Sequence, residues 1–148
     1  MGGGDQVHGT ALCFDGRGVL LRGASGSGKS DLALRLMQRG FHLIADDRVD
    51  VQVLGGEVIA SPPTPLEGLL EVRGLGIFKG PFVAYHALHL VIDLVAANRI
   101  ERLPEPGLTA GLFGEGDLPL VRLHAFEASA PDKVILAMQP GDWSILPV

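Results

Sequence analysis

The stretch Gly23-Ala24-Ser25-Gly26-Ser27-Gly28-Lys29-Ser30 decides the fold. It fits the pattern G-x-x-x-x-G-K-[ST], in which glycines let successive backbone N–H groups converge on a polyphosphate with no Cβ in the way. Its flanks suit that chemistry. Upstream, Val19-Leu20-Leu21 reads as an apolar strand; downstream, Leu32, Ala33, Leu36 and Met37 recur at helical spacing until Gly40 stops the helix. Strand, glycine loop and helix in that order predict an anion cradle at the positive end of a helix dipole. Lys29 would reach the β- and γ-phosphates of ATP or a related nucleotide, and the Ser30 hydroxyl would ligate the magnesium ion bridging them.

Working outward, Gln6 to Phe14 is rich in β-formers, and Asp15-Gly16 with Gly18 supplies the turn into Val19–Leu21, which predicts a hairpin. His42-Leu43-Ile44-Ala45 reads as a short buried strand ending in Asp46-Asp47. Residues 49–54 and 57–60, joined at Gly55-Gly56, read as a second hairpin. Ser61-Pro62-Pro63-Thr64-Pro65 cannot supply ladder bonds and predicts a loop. It leads into Leu66 to Phe78, where apolar and charged residues mix with glycines as in a functional loop. Leu88–Val95 and Leu120–Leu123 look like strands, Asp132–Met138 suits a strand or a short helix, and Pro104–Asp117 predicts a surface loop. The expected fold is α/β, a P-loop nucleotide-binding domain with a mixed, hairpin-rich sheet. With 148 residues and no repeat or linker, it is expected to form one domain over residues 1–148.

Composition narrows the function. At 47% hydrophobic and 20% charged residues, the chain has the apolar surface that intrinsic disorder lacks. A formal charge of −5 provides no general attraction to nucleic acid or anionic lipid, so any phosphate site is local. The most apolar run, Phe82 to Ala97, is interrupted by His86, His89 and Asp93, which argues against a membrane span. Cys13 alone cannot make an intramolecular disulfide or a cysteine zinc cluster, and no secretory signal pattern opens the chain, so a cytoplasmic setting is expected.

P-loop enzymes need an acidic residue at the end of a neighbouring strand to position hydrated magnesium, and Asp46-Asp47 is the candidate. Two carboxylates allow two jobs. On an extended strand they would point opposite ways, with Asp46 toward the metal and Asp47 toward the incoming nucleophile as its base, or the reverse. His8, a lone histidine beside Gly9, reads by default as a structural residue. Glu71 and Arg73 flank Val72, so period-two alternation would place them on one face, as a metal ligand beside a phosphate clamp or as a surface ion pair. Arg99 and Arg102 read by default as solvated cations.

Taken together, the glycine loop, the Ala45-Asp46-Asp47 step and the run Leu70-Glu71-Val72-Arg73-Gly74-Leu75-Gly76-Ile77 resemble the catalytic domain of the HPr kinase/phosphorylase family. The string from Glu71 to Ile77 is the most specific part, and the likeness runs from about His8 to Arg102 and more weakly to Met138. It implies the HPr kinase/PEP carboxykinase type of P-loop fold, in a short form with the catalytic domain alone. By the same resemblance His8 is a catalytic histidine, Lys29 and Ser30 contact nucleotide and magnesium, and Asp47 is the proton acceptor with Asp46 its acidic neighbour. Glu71 is implied as a second magnesium ligand, Arg73 as part of the signature loop, and Arg102 as a later catalytic arginine. The implied substrate is a seryl hydroxyl on a small HPr-like phosphocarrier of the phosphotransferase system, and the implied assembly is a ring-like homo-oligomer. The chain departs from the family pattern at Ala24, where an acidic residue is common, and in the shortened segment Phe78-Lys79-Gly80-Pro81. The basic Pro-Gly turn that the family associates with reverse phosphorolysis is not evident at Phe126–Pro131. The rival readings are a small-metabolite kinase and a nucleotide-sensing module without turnover. A GTPase is disfavoured by the missing Asn-Lys-x-Asp pattern.

Overall fold

The computed structural model describes residues 4–109, 113 and 117–139. In chain order the strands are β1 (Asp5–His8), β2 (Thr10–Phe14), β3 (Arg17–Arg22), β4 (His42–Ala45), β5 (Arg48–Leu54), β6 (Glu57–Ser61), β7 (Leu69–Val72), β8 (Gly76–Lys79), β9 (His86–Ala87), β10 (Leu90–Leu94), β11 (Gly107–Leu108) and β12 (Pro119–Leu123). Two helices join them, α1 (Lys29–Met37) and α2 (Ala130–Met138).

A six-stranded sheet in the order β11-β12-β10-β3-β2-β4 forms the centre, and within it β3, β10 and β12 run parallel. Both its faces are covered. Leu12, Val19, Leu21 and Ile92 turn toward Leu32, Ala33 and Leu36 of α1 and Val134 of α2. Their strand neighbours Ala11, Leu20 and Val91 turn the other way, onto Val49, Val51, Val58 and Ala60 of a four-stranded sheet ordered β1-β5-β6-β9. Side chains alternate across a strand, so a strand buried on both faces must be apolar throughout, as Val19-Leu20-Leu21 is. The result is helices, central sheet and second sheet in three layers.

Several sequence expectations change here. Gln6–Phe14 is two strands, because the chain leaves the four-stranded sheet at His8 and enters the six-stranded one at Thr10. Gly9 makes that crossing possible: a Cβ there would lie 2.6 Å from the Leu21 carbonyl oxygen, closer than real side chains come. Leu66–Phe78 follows a short 3₁₀ turn at Thr64–Leu66 and forms most of the antiparallel β7–β8 hairpin rather than an irregular loop. Asp132–Met138 is helical, and Pro131 sits in the first turn of α2, where a missing N–H costs nothing. Within Pro104–Asp117, β11 pairs with β12, and Thr109 and Phe113 are buried, so this stretch is not wholly surface loop; residues 110–112 and 114–116 lie outside the described residues.

Candidate active site

The C-terminal end of β3 feeds the glycine loop. Arg22, the last residue of β3, grips Asp93 of β10 through both carboxylate oxygens at 2.8 and 3.0 Å, tying the two parallel strands together at that edge. The loop then tightens through Ser27 N–H donating to the Ala24 carbonyl, and Gly28 takes φ 99° to launch α1. No residue with a side chain suits that position, since a Cβ on Gly28 would lie 2.7 Å from the Ala125 methyl. The first amides of α1 have no intrahelical acceptor and open toward a cavity of about 320 Å³. Among the described residues the buried Ser27 hydroxyl has no hydrogen-bond partner, an orphan donor in the loop itself.

Lys29, Ser30, Asp46, Asp47, His8, Glu71 and Arg73 all line this one cavity, with Ser25, Gly26 and Gly28 of the loop. The Lys29 ammonium donates to the carbonyls of Gly23 and Ala24 at 2.7 and 3.1 Å. Burial pushes its pKa down, and the nearby carboxylates of Asp46 and Asp47 pull it back up. Asp46 is the fixed point of the site. Its carboxylate is buried and accepts from Thr10 Oγ1 at 2.8 Å, Ser30 Oγ at 3.0 Å and the Glu71 amide at 3.3 Å. Asp47 is more than half exposed and lies 3.2 Å from His8 Nε2.

The two carboxylates do not sit on a strand, as alternation would have them. β4 ends at Ala45, and Asp46-Asp47-Arg48 makes a tight turn closed by Arg48 N–H donating to the Asp46 carbonyl, with Asp47 at φ 72°. A positive φ on a residue with a Cβ stores roughly 1–3 kcal/mol, and the surroundings must hold it. Three consecutive residues do so: His8 faces the Asp47 carboxylate, the Gly9 amide donates to the Asp47 carbonyl at 3.1 Å, and Thr10 holds Asp46.

Not every residue singled out in the sequence faces the cavity. Gly23, Ala24 and Ser27 are not in its lining, and the carbonyls of the first two accept from Lys29. Arg73 is in the turn after β7 rather than in alternation with Glu71, yet both line the wall. Arg102 is exposed and outside the cavity lining. Thr10, which holds Asp46, and Phe126, which lines the cavity, carry no mark in the sequence. A lone threonine on a strand has no local signature, and the segment around Phe126 matches no motif. Among the described residues no cluster of three or more His, Cys, Asp or Glu forms a ready-made metal cage. The oxygen donors of Ser30, Asp46 and Glu71 instead suit a hard ion such as magnesium, which takes one or two carboxylates and completes its shell with phosphate and water.

A glycine loop between a parallel strand and a helix, at the carboxyl edge of a mixed sheet with carboxylates beside it, defines a P-loop α/β domain. The chain belongs to the HPr serine kinase C-terminal domain family, whose profile matches residues 2–105. It is 44% identical over 100 residues to the HPr kinase/phosphorylase of Clostridium tetani, covering 68% of this chain and 32% of that protein. With the Lactobacillus acidophilus HPr kinase/phosphorylase the identity is 46% over 99 residues, 62% of this chain and 31% of the relative. The chain thus spans about a third of the length of these curated relatives. In three dimensions it superposes on the Hpr(Ser) kinase/phosphatase from Coxiella burnetii with a TM-score of 0.77 at 28% identity, covering 88% of this chain and 86% of the other. Among the described residues no helix is long and apolar enough to cross a membrane.

Proposed function

We propose that the chain is a magnesium- and ATP-dependent protein serine kinase acting on a seryl hydroxyl of a small HPr-like phosphocarrier. The observation that carries this reading is the convergence of loop, lysine, paired carboxylates, His8, Glu71 and Arg73 on a single cavity. The names of the relatives support the choice of substrate. Lys29 and the amides at the start of α1 bind and orient the β- and γ-phosphates. Ser30, Asp46 and Glu71 would hold magnesium, which when bound offsets phosphate charge. Asp47, exposed and oriented by His8, accepts the proton of the seryl hydroxyl as its oxygen forms a bond to the γ-phosphorus and the bond to the β-phosphate oxygen breaks. Arg73, at the cavity wall, offsets charge on the transferring group.

In this reading the phosphocarrier is a cytoplasmic protein partner, nucleic acid and membrane play no part, and the chain works as a homo-oligomer. The reverse reaction named in the relatives would use the same groups, with Asp47 returning the proton. Incubation with magnesium-ATP and an HPr-like carrier, followed by mass-spectrometric mapping, is expected to find one phosphoserine on the carrier. Label appearing on a small metabolite, or bound nucleotide without turnover, would overturn the reading.

A further inference from the structure

Besides the polar groups, the cavity wall gains apolar surface from Leu34 and Phe126. Phe126 is 57% exposed, unusual for a phenyl ring on a turn that is otherwise well anchored. β12 runs parallel to β10, which runs parallel to β3, so the turn His124-Ala125-Phe126 emerges on the same edge as the glycine loop. Open parallel sheets take ligands across that edge. Arg35 of α1 braces the turn, donating to the Glu127 carbonyl at 3.2 Å and to the Ala125 carbonyl. His124 Nδ1 donates to the Val95 carbonyl at 3.0 Å, and its ring meets Phe126 edge-on, with centroids 5.8 Å apart at 71°. The tip of the Phe126 ring rests on the glycine loop, since a Cβ on Gly28 would lie 3.0 Å from Phe126 Cζ. One edge of the ring is thus against protein while much of the rest is open.

A nucleotide whose phosphates lie over Gly26–Ser30 must place its base along the remaining wall, and Phe126 is the one phenyl ring among the described residues lining it. We infer that the open face of Phe126 is the stacking platform for the purine base of the nucleoside triphosphate. This rests on the nucleotide-binding reading above and adds a specificity-determining residue to it. A preset aromatic face supplies attraction at little entropic cost, because the brace from Arg35 and His124 already fixes the ring.

The test is calorimetric titration of the wild type, Phe126→Ala and Phe126→Trp with ATP and, separately, with inorganic tripolyphosphate, which carries the phosphates without the base. Phe126→Ala is expected to weaken ATP binding roughly ten- to a hundred-fold while leaving tripolyphosphate within about twofold of wild type. Phe126→Trp is expected to bind ATP at least as well as wild type, with an emission change on adding ATP that tripolyphosphate does not produce. Equal weakening of both ligands by Phe126→Ala, or no change in either, overturns the stacking role and leaves the phosphate loop standing. Failure of the wild type to bind either ligand overturns the nucleotide-binding reading itself, and this inference with it.

Discussion

At the scale of single residues, Asp46 is buried and Asp47 exposed, and the proposed function gives the two adjacent carboxylates separate tasks. Asp47→Asn tests the base directly, because asparagine tolerates a left-handed backbone and keeps the turn. Nucleotide binding is expected to persist in equilibrium titration while phosphate transfer to the carrier falls about 10²–10⁴-fold. Lys29→Met keeps the aliphatic stem and removes the charge, so melting temperature should hold while transfer falls at least about 10²-fold. Thr10→Val removes one donor from a buried carboxylate and is expected to cost about 1–3 kcal/mol in urea denaturation. Lys29 and Ser30 are legible in the sequence because their motif is contiguous. Thr10 is not, since its partner lies 36 residues away and nothing local marks it. The division between Asp46 and Asp47 is half legible: the pair stands out, but the turn that reorients it depends on contacts from residues 8–10.

Among the elements, the strand crossing at Gly9 carries more of the site than its length suggests. Gly9→Ala should destabilise the fold by about 2 kcal/mol or more in thermal or chemical melts, because the Cβ drives into the Leu21 carbonyl and the β2–β3 ladder must shift. Sequence pattern shows β2 and β3 but hides this crossing, because the β-forming composition continues through it. The β7–β8 hairpin is hidden for the opposite reason. All four residues of β8 are exposed, so no buried face imposes alternation, and glycines interrupt what remains. α2 is ambiguous because its apolar run could bury either as strand or as helix; only packing of Val134 and Met138 on the sheet decides.

Across the whole molecule, the chain passes from β9 of the smaller sheet to β10 of the central one through His89, which is held to Gly18 of β3 one step beyond the β3–β10 ladder. The His89 amide donates to the Gly18 carbonyl at 2.8 Å, and the Gly18 amide donates to His89 Nδ1 at 3.0 Å. That second bond needs an unprotonated Nδ1. Burial holds the His89 pKa below its ordinary value, with the charge of Arg17 and the proximity of His86 acting the same way and Glu57 opposing them. The unfolded chain therefore binds this proton more readily than the folded one, so the contribution is present above about pH 6.5 and is lost as pH falls below it. Melting temperature measured across pH 5–8 is expected to drop on the acid side, and His89→Gln should flatten that part of the curve. The three-layer architecture follows from the doubly apolar strands and is legible from them, whereas the pH-sensitive bond of this contact links a ring nitrogen and a glycine amide 71 positions apart in the chain.

The crossing at residues 8–10 also constrains how such a domain can be re-engineered. Because His8 belongs to one sheet and Thr10 to the other, and both reach the same carboxylate step, neither sheet is an interchangeable module. A chimera that imports the smaller sheet from a relative must splice after Thr10 and carry the matching Asp46–Arg48 turn with it, or the transplanted histidine will face an aspartate set for a different donor.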